Sequence, residues 1–340
     1  MLSITQLSTL NYQPGALLAA WLNDLNPVAL HLSDWLQIRW YGLAYVIGFL
    51  CGFLFLRAMA RKGLGVLPET QLADFVTYTA LFGVMLGGRL GSMLLYDQKE
   101  FFANPLTFFH LTKGGMASHG GILGIVVFTW VYARMKKVSW TALGDMLVVP
   151  APIGIFFGRI ANFINGELWG HEARGLPWTV KFPEEALNAR VQPALHDQVM
   201  EYLHRAAPEH FQETRENPFM VVIERLRSGD QALRELLETG LPERHPSQIY
   251  EALLEGALLF VILCYVRLRW KTLPHGVLTG LFFILYAVLR IVAEHWRVPD
   301  SRGIEWMAGF LTPGQQYSVP MLVIGAAFLW HAWRCRASPK

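Results

Sequence analysis

Residues 40–62 read WYGLAYVIGFLCGFLFLRAMARK, and no charged residue interrupts the run from Trp40 to Leu56. A helix of this composition has no polar face to turn toward water, and about 20 mostly apolar residues are what a bilayer core requires. The run predicts a membrane-spanning helix over Trp40–Ala60, with Arg57, Arg61 and Lys62 at its end. Working outward, the same reading predicts six more spans: Leu72–Tyr96, Gly115–Ala133, Thr141–Phe163, Ile249–Val266, Gly276–Trp296 and Tyr317–Trp333. Composition agrees, with 53% hydrophobic and 16% charged residues, where a soluble domain carries about 25% charge. The 12 Trp and 21 Phe suit aromatic belts at the two interfaces.

The loops set an orientation. Basic groups follow each odd-numbered span: Arg57, Arg61 and Lys62; Arg134, Lys136 and Lys137; Arg267, Arg269 and Lys271; Arg334, Arg336 and Lys340. Positive residues stay on the cytoplasmic side, which predicts the N-terminus outside and the C-terminus cytoplasmic. The fold class read from this is an all-α polytopic membrane protein with seven transmembrane helices and a small extracytoplasmic head between spans four and five. Its expected organisation is an N-terminal extracytoplasmic or interfacial segment over 1–39, spans one to four over 40–169, the head insert over 170–248, and spans five to seven with the C-terminus over 249–340. No cleavable signal peptide is evident, and the short apolar stretch Gly15–Leu22 is expected to lie as an interfacial helix. The net charge of +3, without a long Lys/Arg run, excludes nucleic acid as a partner. Cys51, Cys264 and Cys335 form no CxxC pair and read as packing residues.

Ionisable groups within spans cost several kcal/mol and mark function. Here they are Arg89, His119, Arg159, Glu251, Glu255, Arg290 and Glu294, joined by Tyr41 and Asn162. In the orientation above all fall in the outer half, with Asp74 and Asp145 the exceptions. Arg159 and Asn162 are i, i+3; Tyr286, Arg290 and Glu294 follow at i, i+4 steps; each set shares a helix face. The stretch GRIANFINGELWG at 158–170 predicts a helix end just past Phe163, leaving Asn162, Asn165 and Glu167 on irregular backbone. Around His119 the run GGMASHGG predicts a glycine-rich helix start able to approach an anion. Bland readings exist for each: Arg290–Glu294 as a structural ion pair, Glu251 and Glu255 as water-facing interface residues, Gly83, Gly87, Gly88 and Gly91 as close-packing contacts. Polar groups confined to one leaflet suit an enzyme that takes lipid from that leaflet better than a channel. A lipid or solute transporter and a structural membrane subunit are the alternatives from other classes.

The 158–170 stretch resembles the signature of the bacterial prolipoprotein diacylglyceryl transferase family. RWYGLAY at 39–45, GGMASHGGILG at 114–124, HPSQIYEALLEG at 245–256 and LYAVLRIVAEHWRVPD at 285–300 are similar to further motifs of that family. Ala161 departs from it, where the family usually has Gly; the insert between Glu172 and Glu243 matches only in being variable. The resemblance implies an activity: transfer of the diacylglyceryl group of phosphatidylglycerol to the lipobox cysteine of a preprolipoprotein, behind its signal peptide, with a thioether formed and glycerol phosphate released. It implies the bacterial inner (cytoplasmic) membrane, membrane lipids as surroundings, an active site toward the periplasmic face, and no cofactor or metal. It marks Tyr41, His119, Arg159, Asn162, Glu167, Gly170, Arg290 and Glu294 as functional positions. Catalytic roles are expected of His119, as base for the thiol, and of Arg159 and Arg290, as forks for the phosphate. Tyr41, Asn162, Asn165, Glu167, Gly170, Tyr286, Glu294 and Arg297 are expected to bind substrate, with Glu294 and Glu167 orienting the arginines or binding the glycerol headgroup hydroxyls. An arginine field that lowers the thiol pKa without help from His119 is the competing idea.

Overall fold

The computed structural model describes residues 20–33, 36–95, 98–109, 116–208, 217–299 and 311–337. Tyr96, Gly114, Gly115 and most of the Gly15–Leu22 stretch lie outside them. The described residues divide into two compact units. One takes those of 1–41, 160–250 and 295–298; the other takes those of 42–159, 251–294 and 299–340.

The second unit is helical and is built for lipid. Trp40–Arg61 and the continuous run Ser247–Arg269, with 22 and 23 residues, are long and apolar enough to cross a bilayer, while Val277–Ala293 is a shorter apolar helix. Their outward side chains are apolar: Val46, Leu50, Leu54, Val261 and Val292 stand exposed, as do Ile122, Leu123 and Val127 on Ser118–Lys136. Water would not tolerate such a surface on so many faces; lipid does. The chain is a helical membrane protein.

Expected span four is not one straight helix. Trp140–Val148 and Ala151–Ile164 meet at a 42° bend, because Pro150 and Pro152 lack the N–H that would continue the ladder and crowd the carbonyls before them. Lipid offers little hydrophobic force between helices, so small residues and polar contacts join them. A Cβ on Gly87 would lie 2.6 Å from the Gly120 carbonyl oxygen and 2.8 Å from the Gly124 Cα. The glycines around His119 therefore include two that exist for close helix contact rather than for a loose helix start. Asp145 joins two further elements: its carboxylate accepts from Gly276 N at 2.7 Å, Thr279 N at 2.8 Å and Thr279 Oγ1 at 2.8 Å. It caps the free N–H groups at the start of Val277–Ala293 from another helix.

The first unit has a water-type core. Leu195, Val199 and Leu203 of Pro193–Ala206, Val222 and Leu226 of Pro218–Arg227, and Leu233 and Leu237 of Gln231–Gly240 pack together. Proline opens the first two of these helices, where its missing N–H costs nothing. Asn217 and Asp230 cap the last two by accepting from Phe219 N at 3.0 Å and Leu233 N at 3.1 Å. This unit adds two small strand pairs to the otherwise helical fold. Trp21–Leu22 is a strand, not part of an interfacial helix; it pairs in parallel with Val180–Lys181, which satisfies backbone groups that a helix end would leave open. Val28–Ser33 and Leu36–Arg39 form a second, antiparallel pair.

Candidate active site

Two groups of polar side chains stand out, one in each unit. In the second unit Arg159, near the end of Ala151–Ile164, places Nη1 2.8 Å from Glu251 Oε2 and Nη2 3.0 Å from Glu255 Oε2. Arg290 places Nη1 2.9 Å from Glu251 Oε1 and 3.4 Å from Glu255 Oε1. Each glutamate therefore bridges both arginines, one oxygen to each. Both are 0% exposed, which removes the reading of them as water-facing interface residues. Glu294 adds a third carboxylate: Oε2 sits 2.9 Å from Arg290 Nη2, a charge contact without hydrogen-bond alignment, and Oε1 accepts from Gly314 N at 3.3 Å. Tyr286 lies within the electrostatic reach of Glu251, Glu255, Arg159 and Arg290.

The helix geometry explains the bridging. Glu251 ends the helix Ser247–Glu251 and Glu255 lies on the π-helical stretch Ala252–Leu258. Wider π turns recur at functional sites because they re-aim side chains. Gly256 on the same stretch is pressed on Phe156, where a Cβ would come within 2.6 Å of the Phe156 Cβ. The arginine forks are thus held rigidly by buried acids.

In the first unit Asn162 Nδ2 donates to Tyr41 Oη at 2.8 Å and to Glu167 Oε1 at 2.9 Å; Asn165 Nδ2 reaches the same carboxylate oxygen at 3.4 Å. Of the two roles expected for Glu167 and Glu294, contact with an arginine is seen for Glu294 alone. Glu294 does contact Arg290, whereas Glu167 is held by two amides, and the arginines take Glu251 and Glu255. Gly166 (φ 70°) and Leu168 (φ 61°) turn the chain beyond Ile164 through left-handed backbone. Gly170 is buried and its backbone pairs with that of Arg297, also buried. A Cβ on Gly170 would lie 2.5 Å from the Trp296 carbonyl oxygen, so a glycine is required there for backbone approach. Glu184 sits beside this loop, its Cβ 3.7 Å from where a Gly166 Cβ would be. Burial, then the charges of Glu167 and Glu185, push its carboxyl up to about 7.

His119 stands in the first turn of Ser118–Lys136, exposed, its ring 5.6 Å from that of Tyr317. Among the described residues it makes no hydrogen bond or ion pair. The structure thus brings together Arg159, Arg290, Tyr286 and Glu294 in one unit and Tyr41, Asn162, Asn165 and Glu167 in the other, and leaves His119 outside both networks. Sequence reasoning had noted Glu251 and Glu255 as intramembrane acids but not as partners of the arginines. Their i, i+4 spacing opposite two intramembrane arginines was the available signal.

The model of the family described as prolipoprotein diacylglyceryl transferase matches residues 27–331. The chain belongs to the prolipoprotein diacylglyceryl transferase family. Its relatives include proteins named phosphatidylglycerol–prolipoprotein diacylglyceryl transferase. One from Solidesulfovibrio magneticus is 39% identical over 308 residues, covering 90% of this chain and 93% of its own. One from Bdellovibrio bacteriovorus is 37% identical over 346 residues, covering 94% and 96%. One from Coxiella burnetii is 36% identical over 310 residues, covering 91% and 96%. The chain is therefore a transferase.

Proposed function

We infer that this protein transfers the diacylglyceryl group of phosphatidylglycerol to a prolipoprotein, the first step of lipoprotein maturation, and that the acceptor is the lipobox cysteine. The observation that carries this reading is family membership across residues 27–331. The buried arginine–glutamate lattice supports it, since a phosphodiester needs fixed cationic forks in a water-poor place.

In the proposed reaction the cysteine sulfur, as thiolate, attacks the glycerol carbon that bears the phosphate. A C–S bond forms, the C–O bond breaks, and its electron pair leaves on the oxygen of glycerol phosphate. Arg159 and Arg290 hold the phosphate and stabilise the charge that grows on the leaving oxygen. Two guanidinium groups face three carboxylates before substrate arrives, so the phosphate must take over part of their hydrogen bonding. Glu251, Glu255 and Glu294 keep the forks aligned for that exchange, and Tyr286 lines the same cluster. Tyr41, Asn162, Asn165 and Glu167 offer neutral and anionic partners to the glycerol hydroxyls or to peptide amides; Gly170 and Arg297 fix the backbone beside them. His119 takes the thiol proton. His119→Gln with near-normal turnover would remove it from that role.

The reading includes a topology: seven spans in the bacterial inner membrane, N-terminus outside, C-terminus cytoplasmic, the segment 170–248 as a periplasmic head, and the chemistry at the outer leaflet. The basic clusters after alternate spans support it.

The test uses purified protein, phosphatidylglycerol and a lipobox peptide with a single cysteine, read by mass spectrometry. A diacylglyceryl adduct on the cysteine peptide, absent from its Cys→Ser control and from Arg159→Ala, is the expected result. Folded protein that yields no adduct would sink the proposal.

A further inference from the structure

The loop that carries Glu167 has its carbonyls held by side chains from one short segment, 244–248. Gln248 Nε2 donates to the Glu167 carbonyl at 2.6 Å, Ser247 Oγ to the Leu168 carbonyl at 2.9 Å, and Arg244 Nη1 to the Gly170 carbonyl at 3.1 Å. This loop needs external support: Leu168 sits at φ 61°, a region that a residue with a branched side chain adopts at a cost. Arg244 is fixed in turn by Glu185. Its Nε and Nη2 donate to the two oxygens of Glu185 at 2.5 Å each, a bidentate fork. Glu185, Ser247 and Gln248 are fully buried and Arg244 nearly so. The chain of contacts therefore runs from Glu185 on Pro183–Ala186, through Arg244, to the backbone that aims the Glu167 carboxylate at Asn162 and Asn165.

We propose that Arg244, Ser247 and Gln248 are positioning residues that clamp the 167–170 backbone so that Glu167 meets substrate, and that Glu185 of the insert is the counter-ion that keeps Arg244 in the clamp. The proposal rests on the reading of Glu167 as a substrate-binding group. It gives the insert a part in the reaction through Glu185.

The experiment compares Ser247→Ala, Gln248→Ala, Arg244→Lys, Glu167→Gln and the double variant Ser247→Ala/Glu167→Gln, as full-length protein in detergent. Ser247→Ala removes one hydroxyl and is the variant least able to disturb folding. Hydrogen exchange of the 164–171 peptide, melting temperature, and kcat and KM with phosphatidylglycerol and a lipobox peptide are measured. The clamp predicts faster exchange of that peptide, an unchanged melting temperature for Ser247→Ala, and kcat/KM lowered about 10-fold to 100-fold, the scale of a misplaced group. Added to Glu167→Gln, Ser247→Ala should cause no further loss, because both act through one carboxylate. Unchanged exchange overturns the clamp. Faster exchange with unchanged kcat/KM, or full additivity with Glu167→Gln, overturns positioning through Glu167. Full activity of Glu167→Gln alone instead removes the reading on which the proposal stands.

Discussion

Arg159 and Arg290 share two counter-ions, and that arrangement makes geometry matter more than charge. Lysine would keep the charge but lose the planar fork that lets one side chain meet Glu251 and Glu255 together. Arg159→Lys is expected to lower kcat/KM by about 100-fold or more, read in the adduct assay; activity within a few-fold of wild type would remove the bidentate clamp. A second prediction concerns Glu184. Its carboxyl titrates near 7 in the fold against an ordinary 4.5, through burial and the neighbouring Glu167 and Glu185. The folded state thus binds more protons than the unfolded one between those values. The contribution of Glu184 to stability is most favourable below about pH 4.5, declines as pH rises, and levels off above about 7. Glu184→Gln should therefore raise the melting temperature at pH 8, with a gain in stability on the order of 1–3 kcal/mol, and change little at pH 4.5. Equal melting of the two proteins at pH 8 would contradict it. The identities of the arginines were legible from the sequence, since a charge inside an apolar run is conspicuous. Their partners were not: Arg159 and Glu255 are 96 positions apart, and nothing local couples them.

At the scale of elements, two kinds of force operate. The helices of 193–240 hide leucine and valine from water, and caps at Asn217 and Asp230 define their starts. The membrane helices rely on backbone approach and on polar contacts such as Asp145 with the start of Val277–Ala293. Two glycine positions separate close packing from mere helix composition. Gly120 faces the backbone of Gly87 and Gly91, whereas an added Cβ on Gly154 would meet nothing within 4 Å. Gly120→Ala is expected to destabilise by about 1–3 kcal/mol through overpacking. Gly154→Ala is expected to be neutral or stabilising by about 1 kcal/mol from helix propensity. Melting curves in detergent check both, and a neutral Gly120→Ala would refute the crossing. The sequence marked Gly83, Gly87, Gly88 and Gly91 as packing residues, but read Gly120 as part of a glycine-rich helix start. It missed the break at Pro150, because an apolar run of the right length reads as one span whether or not it is straight.

For the whole molecule, the basic clusters after alternate spans lead to a topology that can be tested directly. Single cysteines are introduced at Asp197 and at Lys136, both exposed, in a background with Cys51, Cys264 and Cys335 replaced. A membrane-impermeant maleimide applied to spheroplasts should label Asp197→Cys, and should label Lys136→Cys only after lysis. The reverse pattern would invert the orientation and put the arginine cluster at the inner leaflet.

What the sequence determined alone was the membrane character and which ionisable side chains stand within apolar runs. Hydrophobic run length and the cost of an intramembrane charge are properties of a short stretch, readable one segment at a time. What only the tertiary structure decided was which acids hold the arginines, that Trp21–Leu22 pairs as a strand with Val180–Lys181, and that residues 244–248 grip the loop at 167–170. These are contacts between segments tens to more than a hundred residues apart. Their energies depend on ångström-scale separations that arise only once the helices and loops have packed.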